Sequence, residues 1–211
     1  MAVITISRQS GSAGNEVARL LCAKLGYRYF DKGLMAELGE AMGLAPDEIT
    51  DASFEEHHVK TLLERLFGTY PDPMTNPTVW TEAMLQDARE ARSVAQVRRL
   101  ILAAYDLGNV VVIGRGGQVV LGDKPDVLHV RVVAPVETRI RRWQAREGLT
   151  EKEARKKTYE RNRAHIDFVK RFFDVDLNDL ELYDLVISTE KVTPAEAVEL
   201  IVQALAYLPA P

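Results

Sequence analysis

Five short apolar runs, separated by stretches of helical periodicity, constrain this chain more than any other feature. They are Val3–Ile6, Tyr27–Phe30, Val110–Ile113, Val127–Val133 and Leu185–Ile187. Between them the apolar spacing becomes helical. Asn15–Leu25 places Val17, Leu20, Leu21 and Cys22 on one face, with Gly26 as a stop. Asp31 can cap a helix running to about Met42, ended by Gly43. A long helix is expected from about Thr81 to Leu107, and another from Pro135 to Glu147, ended by Gly148. Thr150 with Glu153, and Thr193 with Glu196, have capping-box spacing, and Pro194 follows the second cap. Alternation of this kind predicts an α/β fold, a parallel sheet covered on both faces, with Leu185–Ile187 as its last buried strand. Ligands in such sheets bind beyond the carboxyl ends of the strands. The residues after Ile6, Phe30, Ile113, Val133 and Ile187 are therefore the ones to search.

The 211 residues suit one domain. No apolar run approaches the ~20 residues of a membrane span, and the first residues lack the basic region of a signal peptide. A single cysteine, Cys22, excludes an internal disulfide and argues against a cysteine-based zinc site. The cytoplasm is the expected compartment. A net charge of −4 argues against a nucleic-acid binder. Charge is uneven, however. Residues 139–171 hold 12 Lys/Arg against 5 Asp/Glu, and residues 172–190 hold 6 Asp/Glu and no Lys/Arg. Such a basic block is either a local anion site or a solvated helix pair.

After Ile6 the sequence reads Ser7-Arg8-Gln9-Ser10-Gly11-Ser12-Ala13-Gly14-Asn15-Glu16, and it opens directly into a helix. Small residues let successive N–H groups turn inward, and a helix N-terminus adds partial positive charge. This is either a phosphate nest or a plain strand-to-helix turn. The pattern GxxxxGK[ST] is not met: aligned on Gly14, Asn15 replaces the lysine and Glu16 the hydroxyl residue.

Ile6-Ser7-Arg8-Gln9, the Gly11–Gly14 turn and Leu25-Gly26-Tyr27-Arg28-Tyr29-Phe30-Asp31 resemble the opening of the cytidylate kinase-like proteins. Val112-Ile113-Gly114-Arg115-Gly116 resembles their second motif, although Ile113 stands where ordinary cytidylate kinases carry Asp. Arg139, Arg142 and Arg146-Glu147-Gly148-Leu149 resemble the third. Phe168–Phe173 and Tyr183–Ile187 resemble the C-terminal part. The resemblance implies a three-layer P-loop nucleoside monophosphate (NMP) kinase-like fold, with a five-stranded parallel sheet in order 2-3-1-4-5. It implies a core of about 1–45, 91–147 and 183–211, a helical NMP-binding insert at about 46–90 and a lid at about 148–182. ATP, Mg2+ and CMP or dCMP are the implied ligands, and a missing P-loop lysine is common in this branch.

On this reading Arg8, Ser10, Gly11, Ser12, Ala13, Gly14, Asn15 and Glu16 hold the donor, and Glu16 is the magnesium candidate. Glu16 alternatively only complements the helix dipole. Arg139, Arg142 and Arg146 share a helix face at i, i+3 and i+7, and with Arg161 and Arg163 they would neutralise charge when the lid shuts about Gly148. Arg115, Gly116 and Asp31 would hold the acceptor, Asp31 alternatively serving only as a cap. His57-His58 lack a second ligand pair. His129 and Arg131 share a strand face, which is either functional or, more simply, partly exposed, and Trp80 and Trp143 read as packing or surface anchors. Three functions stay open: phosphoryl transfer to a pyrimidine nucleoside monophosphate, nucleotide-dependent regulation without turnover, and a kinase for another small acceptor. No nucleic-acid or membrane partner is expected, and the chain would act as a monomer or homodimer.

Overall fold

In a computed structural model, which describes residues 2–44, 92 and 94–209, the apolar runs form one parallel sheet. The elements are β1 (Val3–Arg8), α1 (Gly14–Leu25), β2 (Arg28–Tyr29), α2 (Lys32–Ala41), α3 (residues 94–107), β3 (Val110–Ile113), α4 (Gly117–Val120), β4 (Val127–Val133), α5 (Val136–Glu147), α6 (Glu151–Phe173), β5 (Leu185–Ser188) and α7 (Pro194–Leu205). The strand order is β2-β3-β1-β4-β5. β1 lies at the centre, with Ile6 opposite Ile113 of β3 and Val130 of β4.

Side chains alternate across each strand, so the sheet feeds two cores. Ile4, Ile6, Val111, Ile113, Leu128, Val130 and Val132 pack with α1 and α7. Val3, Val110, Val112 and Val127 pack with α2, α3 and α4. Burying a side chain of this size stabilises by roughly 1.5–3 kcal/mol relative to exposure. Both expected capping boxes form, and Pro135 is the cap of α5 rather than its first residue.

Two expectations need correction. Leu20 is 40% exposed, because α1 meets the sheet along Val17, Ala18 and Leu21. Small Ala18 lets the helix approach, and Leu20 lies about a quarter-turn or more off that stripe. β5 is an edge strand paired only with β4; Ile187 is buried but Val186 is 43% exposed. Cys22 lies against the α1 core, and burial pushes its thiol up to about 11. The expected insert at 46–90, His57-His58, Trp80 and the first part of the Thr81–Leu107 helix lie outside the described residues. No helix among the described residues is long and apolar enough to cross a membrane.

Candidate functional site

The loop after β1 is held open by its neighbours. The Gln9 amide donates to the Val132 carbonyl at 3.1 Å, and its side-chain oxygen accepts from Ala134 N at 3.1 Å. Gly11 (φ 84°) and Ala13 (φ 61°) are left-handed, which turns the chain into α1. The next three carbonyls are taken from outside. Ser10 O accepts from Arg139 Nη1 and Gly11 O from Arg142 Nη1, each at 3.4 Å, and Ser12 O accepts from Thr189 Oγ1 at 2.9 Å. With its carbonyls tied back, the loop leaves the amides of Ser10, Gly11, Ala13, Gly14 and Asn15 without an acceptor among the described residues. Five unpaired donors at the N-terminus of a helix make an anion cradle.

Asn15 Oδ1 accepts from Arg8 Nε at 3.1 Å. The stem of Arg8 crosses Gly14 so closely that a Cβ there would lie 2.5 Å from Arg8 Cβ. The loop therefore has a cation at its rim, delivered from the strand and not from the helix. Glu16 is exposed in the first turn of α1. Among the described residues no group of three or more His, Cys, Asp or Glu could hold a metal. A lone carboxylate suits Mg2+, which keeps several waters and takes further oxygens from phosphate. Glu16 fits that ion as one ligand.

At the end of β3, Gly114 N donates to Ile6 O at 2.9 Å, which sets the next turn beside the loop. Gly114, Arg115 and Gly116 are successively left-handed, at φ 67°, 57° and 72°. For arginine that backbone costs roughly 1–2 kcal/mol. Arg115 Nη1 reaches the Met35 sulfur, and its guanidinium lies 5.7 Å from the centre of the Phe30 ring. Gly116 is obliged to be glycine, since a Cβ would stand 2.7 Å from the Phe173 ring at the end of α6. Asp31 accepts from Leu34 N at 2.9 Å and so acts as the α2 cap.

The five arginines singled out in the basic block separate into three groups. Arg139 and Arg142 face the loop. Arg139 is 8% exposed and also donates to Ala134 O, and burial holds its pKa below the ordinary value. Arg142 also binds the hydroxyl and carbonyl of Thr189. Arg146 and Arg161 converge instead on Trp143, 3.9 Å and 5.1 Å from the ring centre, with Lys157 at 4.5 Å. Trp143 packs in the α5–α6 core and donates from Nε1 to Ser10 Oγ at 3.2 Å. Arg163 lies outside both groups, 3.6 Å from Asp167.

Thr189, which the sequence reading passed over, and Arg131, whose burial it missed, also belong here. Thr189 anchors the loop from just beyond β5, a position the topology alone marks for search. Arg131 is buried and not partly exposed, being only 4% exposed. It donates to Ser7 Oγ, Tyr183 OH and Asn178 Oδ1 at 3.0, 2.9 and 3.3 Å. Beside it, His129 Nδ1 lies 2.7 Å from Thr5 Oγ1, also buried, and burial lowers the His129 pKa. The signal for Arg131 was a charge in a strand whose other residues, His129 apart, are apolar.

A model of the cytidylate kinase-like family matches residues 3–191. The chain belongs to that family. The cytidylate kinase of Ignicoccus hospitalis is 25% identical over 206 residues, covering 97% of this chain and 99% of the relative. That of Methanocaldococcus jannaschii is 28% identical over 193 residues, covering 90% and 89%. Among solved structures, an uncharacterized protein from Eubacterium ventriosum superposes with a TM-score of 0.68 at 19% identity, covering 98% of this chain and 99% of the other. A shikimate kinase from Bacteroides thetaiotaomicron gives 0.50 at 13%, again over 98% and 99%. These structures share the fold, while the sequence relatives mark this member of the cytidylate kinase-like family as a kinase.

Proposed function

We propose that the chain transfers the γ-phosphoryl group of ATP to a pyrimidine nucleoside monophosphate, CMP or dCMP. The observation that carries this reading is the loop whose carbonyls are tied back while five amides have no acceptor among the described residues, with a left-handed Gly-Arg-Gly turn at the end of the neighbouring strand β3. Phosphoryl transfer needs in-line placement, exclusion of water and neutralised charge, and little covalent help. The amides of residues 10–15 would accept the donor polyphosphate, and Arg8 would supply a cation at its rim. Arg139 and Arg142 hold the loop in shape and lend it positive charge from behind. Arg115, between two glycines, would grip the acceptor phosphate. Residues 46–90 would cover the acceptor. The segment at about 148–182, with Arg146, Arg161 and Arg163, would close as a lid. Bound Mg2+ would offset phosphate charge, with Glu16 as its one protein carboxylate. The γ-phosphorus leaves the β–γ bridging oxygen of ATP and bonds to an acceptor phosphate oxygen, giving ADP and a nucleoside diphosphate.

A coupled assay of ADP release over nucleoside monophosphates and small metabolites tests the reading. Turnover with CMP and dCMP is expected. Nucleotide binding without turnover would instead support a regulatory protein, the reading that Asn15 favours, and turnover with a non-nucleotide alone would reassign the acceptor. For the metal, Glu16→Gln should weaken ATP roughly tenfold in the presence of Mg2+, the scale of one charge-assisted contact, and should leave metal-free affinity unchanged. A gain in affinity independent of metal would show that Glu16 only repels phosphate.

A further inference from the structure

The guanidinium of Arg131 is a buried charge without a counter-ion among the described residues. It is 4% exposed. Its hydrogen-bond partners are the hydroxyls of Ser7 and Tyr183 and the amide oxygen of Asn178, and its fourth neighbour is the Tyr183 ring, 5.2 Å away. All four contacts are neutral, and no carboxylate lies within 4 Å among the described residues. Asp184, which precedes β5 beside His129, is engaged elsewhere: its Oδ2 accepts from His129 N at 2.7 Å. Burying an ion is costly unless an opposite charge meets it, and removal of a buried charge in favour of an apolar side chain is often neutral or stabilising. An arginine held here against that cost implies an anion that arrives later. Its position says where. Arg131 lies opposite Ser7 in the β1–β4 register, and Ser7 directly precedes Arg8 and the loop of unpaired amides. That loop lacks the P-loop ammonium.

We infer that Arg131 is an electrostatic positioning residue of the phosphate site, a buried cation set beneath the 9–16 loop by Ser7, Asn178 and Tyr183, whose counter-ion is the bound polyphosphate. This rests on the phosphate-binding part of the function proposed above and adds a source of charge to it. Arg131 acts through the low-dielectric strand layer, where a charge is felt more strongly than in water and is little screened by salt.

The test uses the full chain, Arg131→Met and Arg131→Lys, with inorganic tripolyphosphate as the probe in calorimetry. Thermal unfolding is measured without anion. Arg131→Met is expected to unfold at the same or a higher temperature than the parent, yet to bind tripolyphosphate at least tenfold more weakly. That deficit should persist at high salt, because the charge is buried. Arg131→Lys should recover most of the affinity, since it keeps the charge and loses only the planar fork. An Arg131→Met chain that fails to fold, or that loses stability while binding the probe normally, overturns the inference, as does a parent chain that does not bind tripolyphosphate. Normal CMP turnover in an Arg131→Met chain with unchanged affinity would sink this inference and leave the kinase reading intact. Tripolyphosphate binding that depends on Arg131, in a chain that turns over no acceptor, would do the reverse.

Discussion

Replacing Arg115 with glycine should lower turnover by roughly 10²–10³-fold, the scale of one preorganised donor lost from a transition state, while leaving the unfolding temperature almost unchanged. The second half of that statement makes the first informative. Arg115 occupies a left-handed backbone at φ 57°, and glycine would relieve roughly 1–2 kcal/mol of strain. Against this stand the contacts to Met35 and the Phe30 ring, worth about 0.5–1 kcal/mol for the cation–π part, and the greater freedom of glycine in the unfolded chain, of about the same size. These terms are of similar size. A left-handed arginine between two left-handed glycines is the kind of strained backbone that functional sites hold. Steady-state kinetics with CMP and a thermal melt check both halves. Near-normal kcat/KM in a well-folded Arg115→Gly chain would remove Arg115 from the acceptor site.

The second large effect is expected at Gly11. Its φ is 84°, and an added Cβ would stand 2.9 Å from the Arg139 carbonyl oxygen and 3.1 Å from Arg139 Cα. Both obstacles are backbone atoms in the first turn of α5, so they cannot swing aside. Gly11→Ala must push the loop off α5, and that motion breaks the contacts from Arg139 and Arg142 to Ser10 O and Gly11 O. The released carbonyls would then compete for the space where the amides converge. Nucleotide affinity should fall about 100-fold or more, equivalent to about 2.7 kcal/mol, with a lowered unfolding temperature. Gly26→Ala is the control: the same left-handed backbone, φ 67°, with nothing within 4 Å of the new Cβ. It should lower stability by about 1 kcal/mol and leave nucleotide affinity as it was. Equal effects at the two glycines would mean that loop placement against α5 is irrelevant to binding.

The architecture was legible because it follows from periodicity. Val110–Ile113 and Val127–Val133 can be nothing but inner strands, and the caps at Thr150 and Thr193 mark helix starts by local chemistry alone. The family resemblance added the strand order. What escaped the sequence is long-range. The i, i+3, i+7 spacing of Arg139, Arg142 and Arg146 gives a common helix face but not what that face meets, and the structure divides it between the loop carbonyls and Trp143. Arg131 read as partly exposed because a charge in a strand usually reaches water. Here Tyr183, 52 residues away, arches over it. Val186 read as buried because Leu185–Ile187 is wholly apolar, and hydropathy does not tell an edge from a centre.

The two ends of the sheet have a consequence for self-association. β2 is two residues long and β5 four, so the flanks of the described sheet expose only a few unsatisfied main-chain groups. A neighbouring molecule could not add a long strand at either flank. Among the described residues, pairing of copies is left to helix surfaces, and exposed, apolar Val186 has no continuous ribbon on which fibril-like stacking could begin.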